Sequence, residues 1–253
     1  MVCALCKLEK PLVNSHVMPE LLYKPLYDEK HRTALFESRG GKQRLIQKGL
    51  RERLLCDDCE RVIQVYEDYF ARYWYQTKPV PAEVHCRELP LSGIDYRLCK
   101  LFVLSIIWRA SASRLAELHG GALGPHEERI RKMILNGDPG PLDKYQILAA
   151  LIIDTATGEV WDELVVSPRK TRVNTHWASR VVFGGACWTV LTSSHPMYQL
   201  SDYVLTEAGD LRLPVLSHSD FVRGTGVAAA IRRSLEEDPA NNGIQQDNPL
   251  GCR

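Results

Sequence analysis

The sequence has no long hydrophobic run. Its most apolar stretch, LCKLFVLSIIW at residues 98–108, already contains Lys100, whereas a membrane-spanning helix needs about 20 predominantly apolar residues in succession. The two residues before Cys3 leave no room for the charged and apolar segments of a secretory signal peptide. Both absences predict a cytoplasmic protein without a membrane partner.

The sequence also lacks an excess of charge. Its 32 Lys and Arg residues nearly balance its 31 Asp and Glu residues, which leaves a net charge of +1. A chain that binds polyanions over its whole surface would be strongly basic, so we expect any contact with nucleic acid to be local. With 45% hydrophobic residues over 253 positions, the chain is long and apolar enough for a soluble globular protein with a substantial core.

No catalytic set is recognisable in residues 91–253. The dipeptides Ser194-His195 and Ser217-His218 lack the third partner of a hydrolase triad. We therefore expect this region to recognise a ligand or a partner chain rather than to carry out chemistry.

What the sequence does contain is eight cysteines, four of them in two C-x-x-C pairs. The pairs are Cys3 with Cys6 and Cys56 with Cys59. Each pair presents two thiolates to one metal, and four thiolates complete a tetrahedron, so the spacing predicts a structural zinc site. A thioredoxin-like redox pair is disfavoured because no βαβ pattern surrounds either motif. The other four cysteines stand alone and are interpreted as ordinary packed thiols.

The pattern of residues 1–90 predicts a small zinc module. Residues 11–18 are typical of one arm of a hairpin, and the charged residues 28–44 are typical of an exposed loop. Residues 57–75 predict a helix whose first turn is capped by an aspartate. The apolar face of this helix is predicted to consist of Val62, Tyr66, Tyr69 and Tyr73.

A change of composition divides the chain. The sequence KPVPAE at residues 78–83 is typical of a linker and predicts a domain boundary near residue 90. Residues 91–237 are predicted to form an α+β domain in which a helical segment precedes a mainly antiparallel sheet. Residues 238–253 are predicted to be a disordered tail.

Helices and strands are predicted within the second domain. Residues 94–121 predict a long, mostly buried helix that ends at a glycine pair, and a second helix is predicted between Pro125 and Gly137. The hydrophobic period then changes from helical to alternating. Strands are predicted at residues 145–154, 158–168, 179–194 and 203–216, the last of them folded over a turn at 207–210.

Three stretches of the sequence carry a resemblance to a known family. CALC at residues 3–6, NSHVMPE at 14–20 and LLCDDCE at 54–60, followed by a helix, together resemble the HNH-type treble-clef nucleases, whose core is a ββα-metal unit. The motifs look like those of bacterial HNH-like proteins in which Ser-His-x-x-Pro follows the first knuckle. The resemblance covers about residues 1–75, under a third of the chain.

The resemblance implies a treble-clef zinc module that hydrolyses phosphodiester bonds, usually in DNA, and a role in defence against foreign DNA would suit it. In such nucleases the histidine after the first knuckle is the general base, which here is His16. The residues alone are equally typical of a packed structural histidine or, less so with four cysteines present, of an alternative zinc ligand. A zinc ion with four cysteine ligands has no open position for substrate. The implied chemistry therefore needs a second ion, Mg²⁺ or Mn²⁺, beside the structural Zn²⁺.

The sequence departs from the HNH pattern at the second-metal site. It has no asparagine between Asn14 and the end of the predicted helix, and Glu60 stands where many such proteins have histidine or asparagine. Glu60 and Glu67 are predicted to share one helix face. Either these carboxylates help to hold the catalytic metal, or they belong to a solvated polar face.

A basic run lies between the two knuckles. Six cations and only one anion occur from residue 39 to residue 53, which favours contact with phosphates of a nucleic-acid backbone without base readout. The cations are Arg39, Lys42, Arg44, Lys48, Arg51 and Arg53. An ordinary solvated loop has a similar composition.

Two functions follow from these observations. The first is a metal-dependent, HNH-like DNA endonuclease in which His16 activates water. The second is a non-catalytic zinc module that binds nucleic acid or a partner protein.

Overall fold

The computed structural model describes residues 1–27, 32–36, 43–47, 49–193 and 195–223, with the backbone alone described at 32–36 and 43–47. The strands are β1 Leu12–His16, β2 Arg32–Phe36, β3 Gln43–Gln47, β4 Arg51–Cys56, β5 Glu88–Leu91, β6 Ile147–Ile153, β7 Val166–Val173, β8 His176–Phe183, β9 Ala186–Leu191 and β10 Leu211–Ser217. The α-helices are α1 Glu20–Tyr23, α2 Asp57–Phe70, α3 Tyr96–Ala112, α4 His126–Asn136 and α5 His218–Val222. Short 3₁₀ turns lie at Lys24–Leu26, Ala116–Gly121 and Tyr198–Tyr203, and a π-helical turn at Ala71–Gln76 extends α2.

The largest sheet has six strands in the order β5-β10-β6-β9-β8-β7. Only the β10–β6 pair is parallel, and the other neighbours are antiparallel. The prediction of a mixed α+β fold with a mainly antiparallel sheet is therefore confirmed. Residues of the predicted linker pair with this region, because the amide of Val84 donates to Gly158 and Ala82 accepts from Val160.

Helix α3 is the centre of the core. Asp95 caps its first turn by accepting a hydrogen bond from the amide of Leu98. The helix is apolar on nearly all sides and packs against α2 and α4. Phe102 of α3 stacks on Phe70 of α2 with ring centroids 4.2 Å apart. A single hydrophobic core thereby joins the cysteine-rich N-terminal region to the sheet.

The predicted helix at residues 94–121 is too long. The observed helix ends at Ala112 because Ser113 is extended, with φ −72° and ψ 148°. The Ser113 hydroxyl accepts from the amide of Leu115 and so offers the backbone an alternative to helical hydrogen bonding. The prediction for the next helix is correct: α4 begins after Pro125 and ends at Gly137, which is left-handed.

Helix α2 is confirmed, with a different cap and a different buried face. Its N-cap is Cys56 without a side-chain hydrogen bond, and the two aspartates that follow bind Arg61 instead. The apolar face is rotated from the predicted one, since the prediction gave too much weight to tyrosines that are only partly buried. The fully buried side chains of this helix and its extension are Cys59, Ile63, Tyr66, Phe70 and Trp74.

Three strand predictions and one loop prediction need correction. Of the strand predicted at 203–216, only β10 from Leu211 forms. The strand predicted at 179–194 is a hairpin of β8 and β9 that turns at Gly184 and Gly185, both with positive φ. The strand predicted at 158–168 starts only at Val166. The segment 28–44, predicted to be a loop, contains β2 and the start of β3, which pair antiparallel. The predicted tail at 238–253 lies outside the described residues.

The turn before β10 depends on a glycine. Gly209 has φ +86°, and a Cβ there would lie 2.2 Å from the carbonyl oxygen of Ile94. We expect Gly209→Ala to lower the free energy of unfolding by clearly more than the about 1–2 kcal/mol that a left-handed alanine costs by itself. Gly124→Ala is the matched control because Gly124 also has positive φ but open space around it. Urea unfolding of both variants checks the difference, and equal losses would contradict it.

Candidate metal centre and the neighbouring histidine

The four cysteines of the two C-x-x-C pairs lie together. The Sγ atoms of Cys3, Cys6, Cys56 and Cys59 all lie within 4.8 Å of one another, and the Cys6 and Cys56 sulfurs are 3.9 Å apart. A zinc ion with Zn–S bonds of about 2.3 Å in a tetrahedron requires sulfurs roughly 3.8 Å apart. The cluster therefore fits a metal ion such as zinc.

Two short structures present these sulfurs. The first pair sits in a tight turn in which Lys7 is left-handed and its amide donates to the Cys3 carbonyl oxygen. The second pair spans the junction of β4 and α2, with Cys56 ending the strand and Cys59 in the first helical turn. The amide of Cys56 also donates to the Cys3 sulfur, which ties the two turns together.

The surroundings of the four cysteines favour ionisation of the Cys3 thiol and oppose ionisation of the Cys59 thiol. Burial alone would raise the pKa of Cys3, but amide donors, first those of Cys6 and Cys56, lower this pKa to about 7. Burial and the neighbouring sulfurs raise the pKa of Cys59 well above its ordinary value. Further negative charge in the cluster needs a compensating cation, which is what a divalent metal provides.

His16 is not part of this cluster and lies at the other end of the β1–β4 pair, since Leu12 rather than His16 is opposite Cys56. It ends β1, opposite Arg51 in the register of β1 and β4. The Arg51 Nε donates a 2.9 Å hydrogen bond to His16 Nε2, and a Glu20 carboxylate oxygen is 3.9 Å from the same nitrogen. Because a guanidinium can only donate, Nε2 is the acceptor in this contact. The His16 side chain is 20% exposed.

Glu67 is not on a solvated face. Its side chain is 14% exposed, and its Oε1 lies 2.8 Å from Nη1 of Arg109, which is itself 1% exposed. The same Arg109 nitrogen donates to the carbonyl oxygen of His16 at 3.0 Å. Burial raises the pKa of the Glu67 carboxyl, and the nearby guanidinium opposes that rise. Both interpretations of Glu67, metal ligand and solvated residue, overlooked this ion pair with α3.

His16, Glu60 and Glu67 do not converge on one point. Among the described residues, the four cysteines are the only group of three or more possible metal ligands close enough to share an ion. Glu60 has one buried carboxylate oxygen without a hydrogen-bond partner, while Glu67 is paired with Arg109. These three side chains therefore share no site for a second ion in the structure, and the predicted Mg²⁺ or Mn²⁺ stays a prediction.

The end of α3 binds the strand that carries Arg51. The hydroxyl of Ser113 and the amide of Arg114 both donate to Glu52, at 2.6 and 3.0 Å. These residues and Arg109 were missed in the sequence. The one available signal was Arg109 itself, a charged residue next to the apolar run that ends at Trp108.

The predicted phosphate-binding run is only partly described. The side chains of Arg39, Lys42, Arg44 and Lys48 lie outside the described part of the chain. Arg51 contacts His16, and Arg53 is exposed on the same strand.

Two further findings bear on the function. In the part of the chain that the structure describes, no helix combines the length and the apolar character needed to cross a bilayer. No protein-family model, no curated protein and no solved structure matches the chain.

Proposed function

We propose that the protein is an HNH-like phosphodiester hydrolase acting on DNA, with His16 as its general base. The observation that carries this proposal is the 2.9 Å contact between His16 Nε2 and Arg51. A candidate proton acceptor thus lies beside a cation suited to phosphate, at the opposite end of the β1–β4 pair from a cysteine cluster that would hold a structural ion.

The order of elements supports a treble-clef arrangement. A turn carrying the first two cysteines precedes the β1–β4 pair, and α2 starts at the second two cysteines. This order is the one expected for the ββα unit of HNH-like proteins. In this proposal the zinc keeps β1 and α2 in place and takes no part in the reaction.

Arg51 would control the base. In the structure it occupies the lone pair on His16 Nε2, so the imidazole cannot accept a proton from water at that nitrogen. A guanidinium binds a phosphate more strongly than it binds a neutral imidazole, because its hydrogen bonds to phosphate are paired and charge-assisted. A backbone phosphate that draws Arg51 away would therefore release His16 at the place where substrate has bound.

Cleavage of supercoiled plasmid in Mg²⁺ or Mn²⁺ tests the proposal. We expect the wild type to nick the plasmid and His16→Ala to lose at least about 100-fold in rate, as for removal of a general base. His85→Ala, which removes an exposed histidine two residues after the predicted linker, is the matched control and should cut normally. Metal analysis must find the same zinc content in all three proteins. Equal cleavage by the wild type and His16→Ala would overturn the mechanism.

A second function is favoured by two of the contacts. Arg109 neutralises Glu67, and the described carboxylates form no site for a second metal. Both facts suit a module that binds nucleic acid through Arg51 and Arg53 without cutting it. Fluorescence anisotropy with a DNA duplex would then show salt-dependent binding that Arg51→Gln weakens, while no nicking occurs in any divalent ion.

A further inference from the structure

A cavity lies far along the chain from the cysteine cluster, between the loop before α4 and the β7–β8 hairpin. Its volume is about 220 Å³, which is below the 300–1,000 Å³ of a typical drug-sized site. The lining residues are Gly121, Ala122, Leu123, Gly124, Pro125, His126, Lys170, Trp177, Ala178, Ser179 and Thr192. The size fits one small ligand, or one group of a larger ligand.

The formal charge of this lining is positive. Lys170 is its cation, and none of the lining residues is acidic. The Lys170 ammonium lies 4.2 Å from the centre of the Trp177 ring, which holds it near the cavity. His126 shares a hydrogen bond with the Tyr145 hydroxyl. Burial and the nearby charges of Arg129 and Lys170 lower the pKa of His126.

One buried hydroxyl in this lining lacks a partner. Ser179 is 2% exposed, and its Oγ has no hydrogen-bond partner in the structure. In β8 the side chains of Ser179 and Trp177 lie on the same face of the sheet, two residues apart. Buried polar groups are nearly always paired, so a hydroxyl left open here indicates a missing acceptor.

The loop at residues 121–125, on the other side of the cavity, is held close to β7. A Cβ on Gly121 would lie 2.9 Å from the carbonyl oxygen of Pro168, so glycine allows the loop to approach β7. The hydroxyl of Ser111 accepts from the amide of Leu123, which attaches the loop to the end of α3. The first amides of α4 also hold the loop, since those of His126 and Glu127 donate to the carbonyl oxygens of Leu123 and Gly124.

We propose that this cavity binds a phosphoryl group, either as free phosphate or as part of a small phosphate ester. Lys170 supplies the charge, and the Ser179 hydroxyl donates to one phosphate oxygen. Both contacts to phosphate oxygen are charge-assisted hydrogen bonds. This site is independent of the proposed nuclease function.

Isothermal titration tests the proposal, with inorganic phosphate and adenosine 5′-monophosphate as probes and without divalent ions. We expect binding by the wild type, and a loss of about tenfold in affinity for Lys170→Gln and for Ser179→Ala, because each change removes a hydrogen bond to a charged oxygen. Lys132→Gln, which changes an exposed lysine on α4, should bind as the wild type does. Tighter binding of the nucleotide identifies an ester as the ligand, and equal binding identifies free phosphate.

The controls keep this result separate from the candidate nuclease site. Arg51→Gln removes the other cation for which phosphate binding is proposed and so shows whether the probes bind there instead. A loss of affinity in Arg51→Gln but not in Lys170→Gln would overturn the proposal, as would the absence of binding of either probe to the wild type. Lys170 is exposed, so Lys170→Gln remains informative even if Ser179→Ala fails to fold.

Discussion

Replacing Cys59 with serine is expected to remove the metal from the protein and to unfold its N-terminal region. The purified wild type should contain one zinc ion per chain, bound by the four clustered cysteines. Structural zinc contributes about 10–16 kcal/mol of apparent binding free energy in zinc-finger peptides at neutral pH. Much of the stability of the turn at Cys3 and of the start of α2 should therefore depend on the ion.

Metal analysis and limited proteolysis measure this effect. Cys59→Ser and Cys3→Ser should contain no zinc, and protease should cut them before residue 76. Cys187→Ala is the matched control because Cys187 is fully buried in β9 and is not in the cluster. It should keep one zinc ion and lose only about 1 kcal/mol, as for a small truncation in a core. A Cys59→Ser protein that still holds one zinc ion would contradict a four-cysteine site.

Replacing Arg109 with methionine is expected to lower the free energy of unfolding by about 3–5 kcal/mol, the usual cost of removing one partner from a buried ion pair. Arg109 is 1% exposed, and its guanidinium binds both Glu67 and the His16 carbonyl oxygen. Without it, Glu67 is left as a buried carboxylate. Arg72→Met is the matched control, since the side chain of Arg72 is exposed near the end of α2.

The loss of unfolding free energy in Arg109→Met should depend on pH. Burial already raises the pKa of Glu67, and Arg109 opposes that rise, so removing Arg109 raises this pKa further. A carboxyl whose folded pKa lies above its unfolded pKa stabilises the fold at low pH, and this stabilisation is lost as the pH rises through the folded pKa. Urea unfolding at pH 5 and pH 8 should therefore give the larger loss at pH 8.

A second substitution separates charge from packing. Glu67→Gln added to Arg109→Met removes the uncompensated carboxylate, so the double variant should recover part of the lost stability and lose the pH dependence. A double variant that is less stable than Arg109→Met would show that packing, rather than the unpaired charge, dominates the effect.

The contacts of α3 explain why the N-terminal region cannot be understood from its own motifs. Near its C-terminal end, Arg109 binds the end of β1, and beyond the helix Ser113 binds Glu52 of β4. A third residue, Ser111, binds the loop that lines the cavity. The helix therefore contacts the candidate base and the proposed phosphate site within five residues of sequence.

Local signals predicted the parts of this protein that depend on neighbouring residues. The C-x-x-C spacing predicted the cysteine cluster because each pair folds within one short turn. Pro125 and Gly137 predicted the ends of α4 because both act through their own backbone geometry. Alternating apolar residues predicted a mainly antiparallel sheet, although the pattern missed the turn at Gly184 within one apolar run.

Other features depend on contacts that periodicity cannot reveal. The helix periodicity put Glu67 on a polar face of α2, but in the structure α3 packs over Glu67 and buries it in an ion pair with Arg109. In the same way, His16 is visible as a motif, whereas its contact with Arg51 arises from the register of two strands 35 residues apart.

The sequence by itself thus determined the cysteine cluster and the mixed α+β class with its mainly antiparallel sheet, because both depend on residue type and short spacing. The tertiary structure alone decided which charges are paired, which hydroxyl is left open and where a cavity forms. These properties depend on distances between residues far apart in the chain, and such distances are set by how the core packs rather than by any local pattern.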